Sequence, residues 1–338
     1  FTRLGQWCLE SPMKLLMRPG GHGMIWKLVK INKIFNWFKS KGASKALVRQ
    51  INNPIAGTDG GLLNFIGVGI ESKKRFGFSS CHRLVNAHEG MNVVCEKQGK
   101  SFLTNVEYCD FQKYGIDDIP FSKNEKYSQF PSNTNILFAD LSAVEQAVEK
   151  LPFPNALINF REGKHFQGEY KNEDIGRIET TMQNIAEAFP TNKSKPLDAY
   201  LTFNERRKTI STTKHQRKQV KNLLETPQGC FYDYLLNAHD LLRNYCSIKV
   251  PDFPSKEQYI KNGPPFLCCY HPALGPLYSV IGQKIRGGVI EPKSNINLDI
   301  VDIDLENIHI RGSLSIVATH PLGHFDDGIL KYSDQTSK

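Results

Sequence analysis

The stretch Arg18-Pro-Gly-Gly-His-Gly-Met-Ile-Trp-Lys27 restricts the possible folds and functions of this chain more than any other segment does. Its glycines carry no side chain, so the backbone can turn tightly and approach a bound molecule, and His22 is the single imidazole of the turn. A second glycine-containing polar turn, Val48-Arg-Gln-Ile-Asn-Asn-Pro-Ile-Ala-Gly-Thr-Asp59, follows after a helix pattern and a short apolar run. Two such turns suit a phosphorylated sugar, whereas an isolated Gly-Gly-His-Gly turn is more often a tight turn with an incidental histidine.

The composition is compatible with an enzyme of two domains. The chain has 338 residues, of which 40% are hydrophobic, and domains typically contain about 100 to 200 residues. No apolar run reaches the roughly 18 residues that a membrane-spanning helix needs, so we expect no such helix. The start, Phe1-Thr-Arg-Leu4, has neither an initiator Met nor a signal-peptide pattern, and we expect a truncated chain.

The eight cysteines show no Cys-x-x-Cys pair and no regular spacing. This pattern argues against a zinc site and against a disulfide scaffold, and a reducing compartment is the default. The net charge of +9 is concentrated in part between Arg206 and Lys221, beside several hydroxyl side chains. A solvated loop is one interpretation of this basic cluster. The cluster lacks the aromatic residues that would stack on bases, and by itself it suits a triphosphate as well as a polynucleotide. We favour a triphosphate, with no nucleic acid as partner, because of the position of the cluster in the family resemblance given below.

Hydrophobic periodicity predicts alternating helices and strands over the first two thirds of the chain. Residues 25–38 have near-helical apolar spacing, and Gly42 can end that helix. A further helix follows Asp140 or Ser142, either of which can cap it. Residues 232–245 form an amphipathic helix pattern, and 251–265 read as a linker or surface loop. Strands are predicted over 46–51, 76–80, 91–96, 102–108 and 135–139, with a hairpin at Lys97–Lys100.

The C-terminal part has a different pattern. From Leu298 onward the sequence consists of short alternations of apolar and polar residues, interrupted by Asn307 and Gly312. Stretches this short can bury a continuous face only when they stack as rungs. We therefore predict a catalytic domain over residues 1–225, a helix and linker over 226–265, and a β-rich domain over 266–338.

Both turns, together with six further segments in the same order, resemble the UDP-sugar pyrophosphorylases, and in particular the plastid-type UTP–glucose-1-phosphate uridylyltransferases of sulfolipid synthesis and their bacterial relatives. The resemblance extends over most of the chain. The six segments are Lys74-Arg-Phe-Gly-Phe-Ser-Ser-Cys81, Ala87-His-Glu-Gly-Met-Asn92, Phe130-Pro-Ser-Asn-Thr-Asn-Ile136, Gly176-Arg-Ile-Glu-Thr-Thr-Met-Gln-Asn184, Phe203-Asn-Glu-Arg-Arg207 and His271-Pro-Ala-Leu-Gly-Pro276.

The resemblance implies an α/β fold: the Rossmann-like, GT-A-like nucleotidyltransferase fold, with a mixed sheet and helices on both sides, followed by a small β-helix-like domain. It also implies that UTP and glucose 1-phosphate form UDP-glucose and pyrophosphate, with Mg²⁺ as cofactor, in a bacterial cytoplasm or a plastid stroma. The glycine-rich nucleotide loop of the family is absent from this sequence. Another sugar specificity, or a non-catalytic sugar-nucleotide-binding relative, stays open.

By position, the resemblance assigns Gly21 to the uridine nucleotide and His22 to the sugar phosphate. Gln50 and Asn52 fall on the pair of residues that meets the sugar phosphate, nucleotide and metal. Asn52 replaces a metal-binding aspartate, and an amide oxygen brings no charge, so Asp59 could compensate.

The sugar hydroxyls are assigned by the same resemblance to carboxylate, amide and hydroxyl side chains at strand ends, each of which alone could be an ordinary turn residue. These residues are Glu107, Asn133, Asn135, Glu179 and Thr180. A lysine reaches the α-phosphate in the relatives, and either Lys208 or Lys214 can supply that charge here. We favour Lys214 as the catalytic lysine.

Overall fold

The structure is a computed structural model that describes residues 1–216, 223–318, 323–326 and 329–332. It divides into two compact units. The first unit comprises Phe1–Val48 and Gly69–Phe203, and the second comprises Arg49–Val68 and Asn204–Lys338. The predicted domain limits at 225 and 265 differ from this division and stay a prediction. Within the described ranges, none of the helices is long and apolar enough to cross a lipid bilayer.

The first unit is built on a large sheet with helices. Its strands are β1 Leu9–Ser11, β2 Lys14–Leu15, β3 Lys45–Val48, β4 Phe76–Leu84, β5 Met91–Lys97, β6 Lys100–Val106, β7 Tyr127–Asp140, β8 Leu157–Phe166, β9 Tyr170–Glu179, β10 Thr191–Asn192 and β11 Ala199–Asn204. Its helices are α1 Met24–Ile31, α2 Ile34–Ser40 and α4 Leu141–Lys150, and α3 Gly61–Glu71 begins in the second unit.

The large sheet has the strand order β10-β6-β5-β7-β4-β11, and β3 also pairs with β7. The predicted hairpin at Lys97–Lys100 is present, since β5 and β6 pair antiparallel around it. A smaller sheet has the order β2-β1-β8-β9, in which β8 and β9 form a long hairpin. Asp140 caps α4 by accepting a hydrogen bond from the Ala143 amide at 2.9 Å, as the sequence predicts.

The single helix predicted over residues 25–38 is wrong, because the chain forms α1 and α2 with a break at Lys33. Lys33 has a left-handed backbone with φ 58°. Trp26 and Phe35 are nine positions apart, so a straight helix would place them on opposite faces. Both side chains are buried in the same core, at 4% and 2% exposure. The break lets α1 and α2 each direct an aromatic ring into that core.

In the second unit, the first two helices after residue 204 are α5 Arg206–Thr209 and α6 Pro227–Asp240. α6 starts five residues earlier than the predicted 232, because Thr226 accepts a hydrogen bond from the Gly229 amide at 3.1 Å. A π-helical turn, Leu241–Tyr245, continues it. The predicted linker contains a helix, α7 Lys256–Asn262, which Ser255 caps with a capping box. A last helix, α8, spans Tyr278–Lys284.

The predicted C-terminal rungs are parallel strands. The strands of this part are β12 Ile248–Lys249, β13 Leu267–Tyr270, β14 Ile285–Ile290, β15 Asn295–Asp299, β16 Leu305–Ile310, β17 Ser313–Val317, β18 Gly323–Asp326 and β19 Ile329–Tyr332. β12, β14 and β16 form one parallel sheet, β13, β15 and β17 form another, and β18 pairs antiparallel with β19. Asn295 lies opposite Ser313 and Ile296 opposite Leu314, so β17 repeats the position of β15 after 18 residues.

Candidate functional site

The first unit contains a cavity of about 860 Å³, here called the main cavity. It lies between the glycine-rich turn, the segment after β6, the bulged part of β7 and the ends of β8 and β9. Six of the residues that the sequence resemblance assigns to substrate line it together. They are Gly21, His22, Glu107, Asn135, Glu179 and Thr180.

The glycines of the first turn allow two pieces of backbone to pack directly on each other. The Gly23 amide donates to the Thr180 carbonyl at 3.0 Å, and the Thr180 amide donates to the Gly20 carbonyl at 2.9 Å. Gly21 has φ +83°, and a Cβ on it would lie 2.4 Å from the Thr180 oxygen. A Cβ on Gly23 would lie 2.7 Å from the Thr181 nitrogen. Close backbone packing, rather than approach to a ligand, therefore requires Gly21 and Gly23.

The surroundings of His22 favour its neutral form and one of its two tautomers. Its Nδ1 accepts a hydrogen bond from the Met182 amide at 3.1 Å. Burial lowers the pKa of His22 below its ordinary value, so the ring is neutral at pH 7. A neutral imidazole whose Nδ1 accepts carries its proton on Nε2. His22 can therefore offer an N–H donor to an anionic oxygen in the main cavity.

Glu107 is held by two amide side chains. Asn105 Nδ2 donates to Glu107 Oε1 at 2.7 Å, and Gln183 Nε2 donates to the same oxygen at 3.1 Å. Two donors on one oxygen favour the ionised carboxylate and fix its orientation. The oriented carboxylate lies in the lining of the main cavity.

Asn133 and Asn135 act as a pair at a β-bulge. The register between β4 and β7 shifts at Ser79 and Ser80, and Asn135 has φ 55°. Asn133 Nδ2 donates to Asn135 Oδ1 at 3.0 Å, while Asn133 itself is only 6% exposed. The bulge directs Asn135 to the main cavity, whereas Asn133 supports it from behind.

Glu179 ends β9 and also has its carboxylate oriented by neighbours. Asn159 Nδ2 donates to one carboxylate oxygen at 2.9 Å, and Arg177 forms an ion pair with the other. The hydroxyl of Thr180 donates to the Gly20 carbonyl at 2.9 Å, so it stabilises the turn. Thr180 therefore lines the main cavity with a hydroxyl that already has a structural partner.

Several cavity residues were not identified from the sequence. Two of them, Asn159 and Arg161, lie at alternating positions of β8 and therefore share one face of the β8–β9 hairpin. That period of two was the available signal, but β8 and β9 carry so many polar residues that no apolar alternation marked it. The added residues with polar side chains are Tyr108, Cys109, Asp110, Lys113, Asn155, Asn159, Arg161 and Thr181.

A buried arginine supports the cavity wall. Arg83 is 1% exposed, and its guanidinium donates to the carbonyls of Glu89 and Ala87 at 2.9 and 2.6 Å. It pairs with Asp118 at 2.7 Å and lies 4.9 Å from the centre of the Phe111 ring. Burial raises the pKa of Asp118, but hydrogen bonds, above all from Arg83, outweigh this effect and lower it overall. Through Phe111, Arg83 thus stabilises the segment after β6 that lines the main cavity.

Lys208 belongs to the second unit, and its charge is compensated there. Its Nζ lies 2.9 Å from Asp59 and 3.4 Å from Asp240, and its side chain is only 14% exposed. The rings of Tyr278 and Tyr245 lie 4.7 and 5.8 Å from it. Burial lowers the pKa of Lys208, but the hydrogen bond to Asp59 and the nearby carboxylates outweigh it and raise the pKa overall.

Lys214 is more accessible than Lys208. Its side chain is 40% exposed and its Nζ contacts Glu225 at 2.5 Å. The Glu225 carbonyl also accepts hydrogen bonds from the amides of Lys214 and His215, both at 2.9 Å. With a partly exposed side chain and one carboxylate partner among the described residues, this ammonium can move to another anion. Arg217, Lys218 and Lys221 of the predicted basic cluster lie outside the described residues.

The second turn is fastened by Asn53. Its Nδ2 donates to the Thr209 carbonyl and its Oδ1 accepts from the Ser211 amide, each at 2.9 Å. The Gln50 carbonyl accepts a hydrogen bond from the Asn53 amide at 3.1 Å, so Gln50 lies at the start of this fastened turn. Asn53, which is 1% exposed, was missed by the sequence analysis because its partners lie far along the chain.

The residues around Asn52 do not fit a magnesium site. Asn52 Nδ2 donates to the Thr213 carbonyl at 3.3 Å. Asp59, which was expected to compensate for the missing aspartate, instead accepts hydrogen bonds from Lys208 and from the Tyr278 amide, both at 2.9 Å. Among the residues that the structure describes, no group of three or more His, Cys, Asp and Glu side chains could hold a metal ion. Magnesium prefers oxygen ligands with carboxylate charge, which are lacking here.

Comparisons with known proteins were made by sequence and by structure. The family described as UTP–glucose-1-phosphate uridylyltransferase matches residues 7–206, and UGP3-like C-terminal hexapeptide repeats match residues 285–338. UTP–glucose-1-phosphate uridylyltransferase 3, chloroplastic, of Arabidopsis thaliana is 38% identical over 341 aligned positions. These cover 94% of this chain but 38% of that relative, so the chain spans less than half of the relative's length.

Two solved structures show the same fold. A protein of Entamoeba histolytica described as a UDP-N-acetylglucosamine pyrophosphorylase aligns with a TM-score of 0.64 at 15% identity, over 86% of this chain and 66% of that one. The uridine diphosphate N-acetylglucosamine pyrophosphorylase of Trypanosoma brucei aligns with a TM-score of 0.50 at 16% identity, over 72% and 53%. With the hexapeptide match, these likenesses confirm the predicted nucleotidyltransferase fold and its β-helix-like C-terminal part.

Proposed function

Because this chain belongs to the UTP–glucose-1-phosphate uridylyltransferase family, we propose that it forms UDP-glucose and pyrophosphate from UTP and glucose 1-phosphate. The observation that carries the proposal is the grouping of six residues, all assigned to substrate by position, around one cavity of about 860 Å³. Polar cavities of this size suit a small hydrophilic ligand whose hydroxyls need fixed donors and acceptors.

In the proposed reaction, an oxygen of the sugar 1-phosphate attacks the α-phosphorus of UTP and pyrophosphate leaves. Such a transfer needs no covalent intermediate with the protein, so its rate depends on positioning and on compensation of charge. In the proposal, Glu107 and Glu179 accept hydrogen bonds from sugar hydroxyls, and Asn135 adds an amide. His22 donates a hydrogen bond from its Nε2–H to a phosphate oxygen, and no proton is transferred.

Lys214 is the proposed charge that stabilises the transition state. Its exposure of 40% and its single carboxylate partner support this choice over Lys208, which lies between two carboxylates at 14% exposure. No step is assigned to a metal held by the protein, and Mg²⁺ enters the proposal as the counterion of UTP. A plastid location is part of the proposal, supported by the chloroplastic relative.

The test is pyrophosphate release from UTP, Mg²⁺ and a sugar 1-phosphate, measured with the full-length product of the gene. We expect turnover with glucose 1-phosphate, and a decrease in kcat of roughly 100-fold or more for Lys214→Ala with little change in KM. The exposed Lys261, in α7, gives a matched control, and Lys261→Ala keeps normal kinetics.

Different outcomes contradict different parts of the proposal. Turnover with galactose or N-acetylglucosamine 1-phosphate, but not with glucose 1-phosphate, changes the sugar and keeps the reaction. Normal turnover of Lys214→Ala removes Lys214 from the mechanism. A folded full-length protein that binds UDP-glucose, yet releases no pyrophosphate with any sugar phosphate, is a binding protein rather than an enzyme.

A further inference from the structure

A second concave region adjoins the main cavity and has a cationic lining. It has a volume of about 360 Å³ and shares Asn159 and Arg161 with the main cavity. Arg18, from the chain just before the glycine-rich turn, and Arg177, from β9, complete its set of three guanidinium groups. We call this region the arginine pocket. It is unlike the main cavity, in which acidic and amide side chains predominate.

The hairpin geometry brings two of these arginines together. In the register of β8 and β9, Asn159 lies opposite Arg177 and Arg161 lies opposite Ile175. Residues two apart on a strand share a face, so Arg161 and Arg177 are diagonal neighbours on one face of the hairpin. Such neighbours have Cβ atoms about 7 Å apart, within the span that long guanidinium side chains can bridge.

The charge of the arginine pocket is only partly compensated by the protein. Arg177 forms an ion pair with Glu179. Arg18 and Arg161, in contrast, form no ion pair with any residue in the described part of the chain, and Glu162 is the one acidic residue in the lining. Like charges held close together destabilise a fold. A bound anion would remove that repulsion.

Gly163 and Ile175 form an apolar part of the arginine pocket. Gly163 follows Arg161 by two positions on the same strand, and it also lines the arginine pocket. A Cβ at this position would lie 2.9 Å from Cδ1 of Ile175, the residue opposite Arg161. Gly163 therefore leaves room for the Ile175 side chain to pack against this strand. Both residues line the concave space of about 360 Å³ together with the cationic groups.

We propose that Arg18, Arg161 and Arg177 bind a phosphate group in the arginine pocket. The planar guanidinium presents paired N–H donors that match two oxygens of a phosphate, which favours phosphate over a monovalent carboxylate. The phosphate is either that of a sugar phosphate reaching across from the main cavity, through the shared Asn159 and Arg161, or a free phosphate that occupies the pocket beside it. The binding itself does not depend on turnover.

The test is isothermal titration calorimetry of inorganic phosphate and of glucose 1-phosphate with the full-length protein and Arg161→Gln. We expect saturable phosphate binding that Arg161→Gln weakens about tenfold, the loss expected when one charge-assisted contact is removed. Lys164→Gln is the matched control. It removes the same charge from the same strand, but Lys164 lies over the ring of Tyr170 at 4.8 Å and does not line the arginine pocket.

A competition titration identifies the source of the phosphate. If the sugar phosphate reaches the arginine pocket, glucose 1-phosphate displaces inorganic phosphate, and Arg161→Gln weakens both. If a free phosphate occupies it, both ligands bind together and only inorganic phosphate is weakened. The proposal is overturned if phosphate does not bind saturably, or if Arg161→Gln and Lys164→Gln change its affinity equally. Phosphate binding without pyrophosphate release refutes the proposed enzyme activity alone.

Discussion

The main cavity of the first unit and the surroundings of Lys208 in the second unit are both polar, but their polar groups have different partners. In the main cavity, the side-chain oxygen of Asn135 accepts from Asn133, and Nδ1 of His22 accepts from the Met182 amide. In the second unit, Lys208 is held between Asp59 and Asp240. The first arrangement orients groups for a ligand, and the second compensates a charge that is already enclosed.

This difference changes how a motif lysine is interpreted. Lys208 and Lys214 lie in one short segment that the family resemblance points to, and sequence alone cannot separate them. Burial and pairing separate them, because a lysine between two carboxylates contributes little net field to a distant anion. We expect perturbation of Lys208 to appear in stability and perturbation of Lys214 to appear in turnover.

The largest expected stability effect comes from Lys208→Met. Removing the ammonium leaves the Asp59 carboxylate, which is 19% exposed, with a backbone amide as its remaining described partner, while Asp240 keeps its ion pair with Arg207 at 2.9 Å. An uncompensated, largely enclosed carboxylate costs about 3 kcal/mol of unfolding free energy. Urea unfolding of the full-length protein measures this loss.

Lys214→Met is the matched control for that experiment. Because Lys214 is 40% exposed, its ion pair with Glu225 should contribute less than about 1 kcal/mol. The contrast between the two lysines fails if Lys208→Met unfolds like the wild type but has lost its turnover. In that case Lys208, rather than Lys214, is the lysine that meets the phosphate.

A smaller loss, of about 2 kcal/mol, is expected for Gly21→Ala, which tests whether backbone packing builds the main cavity. The new Cβ would lie 2.4 Å from the Thr180 oxygen, at a position with φ +83°. Gly42→Ala is the control, since Gly42 has φ +71° but nothing within 4 Å of a Cβ, and it should cost about 1 kcal/mol. Equal unfolding free energies for the two variants would show that backbone strain alone, not the contact with Thr180, requires Gly21.

Much of the fold was predictable because it depends on local or periodic signals. Asp140 marks the start of α4 through its side-chain oxygen, and the period of two from Leu298 onward indicates the parallel rungs. The break at Lys33 was not predicted, because apolar spacing over 25–38 fits one helix almost as well as two. Only the shared burial of Trp26 and Phe35 requires the break.

Less of the site was predictable, since its decisive contacts are long-range. The hairpin of β8 and β9 carries Asn159 and Arg161 in strands without regular apolar alternation, so periodicity did not identify it. Likewise, the pairing of Lys208 with Asp59 joins positions 149 residues apart. A resemblance can nominate a residue by position, but only its three-dimensional neighbours determine whether its charge is available.

The smallest effect we predict is a pH dependence that concerns His22. Burial lowers its pKa when the protein is folded, whereas the unfolded chain protonates it near its ordinary value of about 6.5. Between these two pKa values the unfolded state binds more protons, so the stability contribution is complete above about pH 6.5 and is lost as the pH falls through this window. Protonated Nδ1 also cannot accept from the Met182 amide, so kcat/KM should decrease as the pH falls below the ordinary histidine pKa of about 6.5.

His22→Gln is the variant that isolates this effect, because a glutamine amide can accept from the Met182 amide and donate to a phosphate but does not titrate. We expect its kcat/KM, measured from pH 5.5 to 8 in the full-length protein, to lose the acidic decrease while retaining activity at pH 7. An unchanged acidic limb would assign the titration to another group. His22 of the first unit is thus the neutral, oriented group of the comparison, whereas Lys208 of the second unit carries a charge that its carboxylate neighbours compensate.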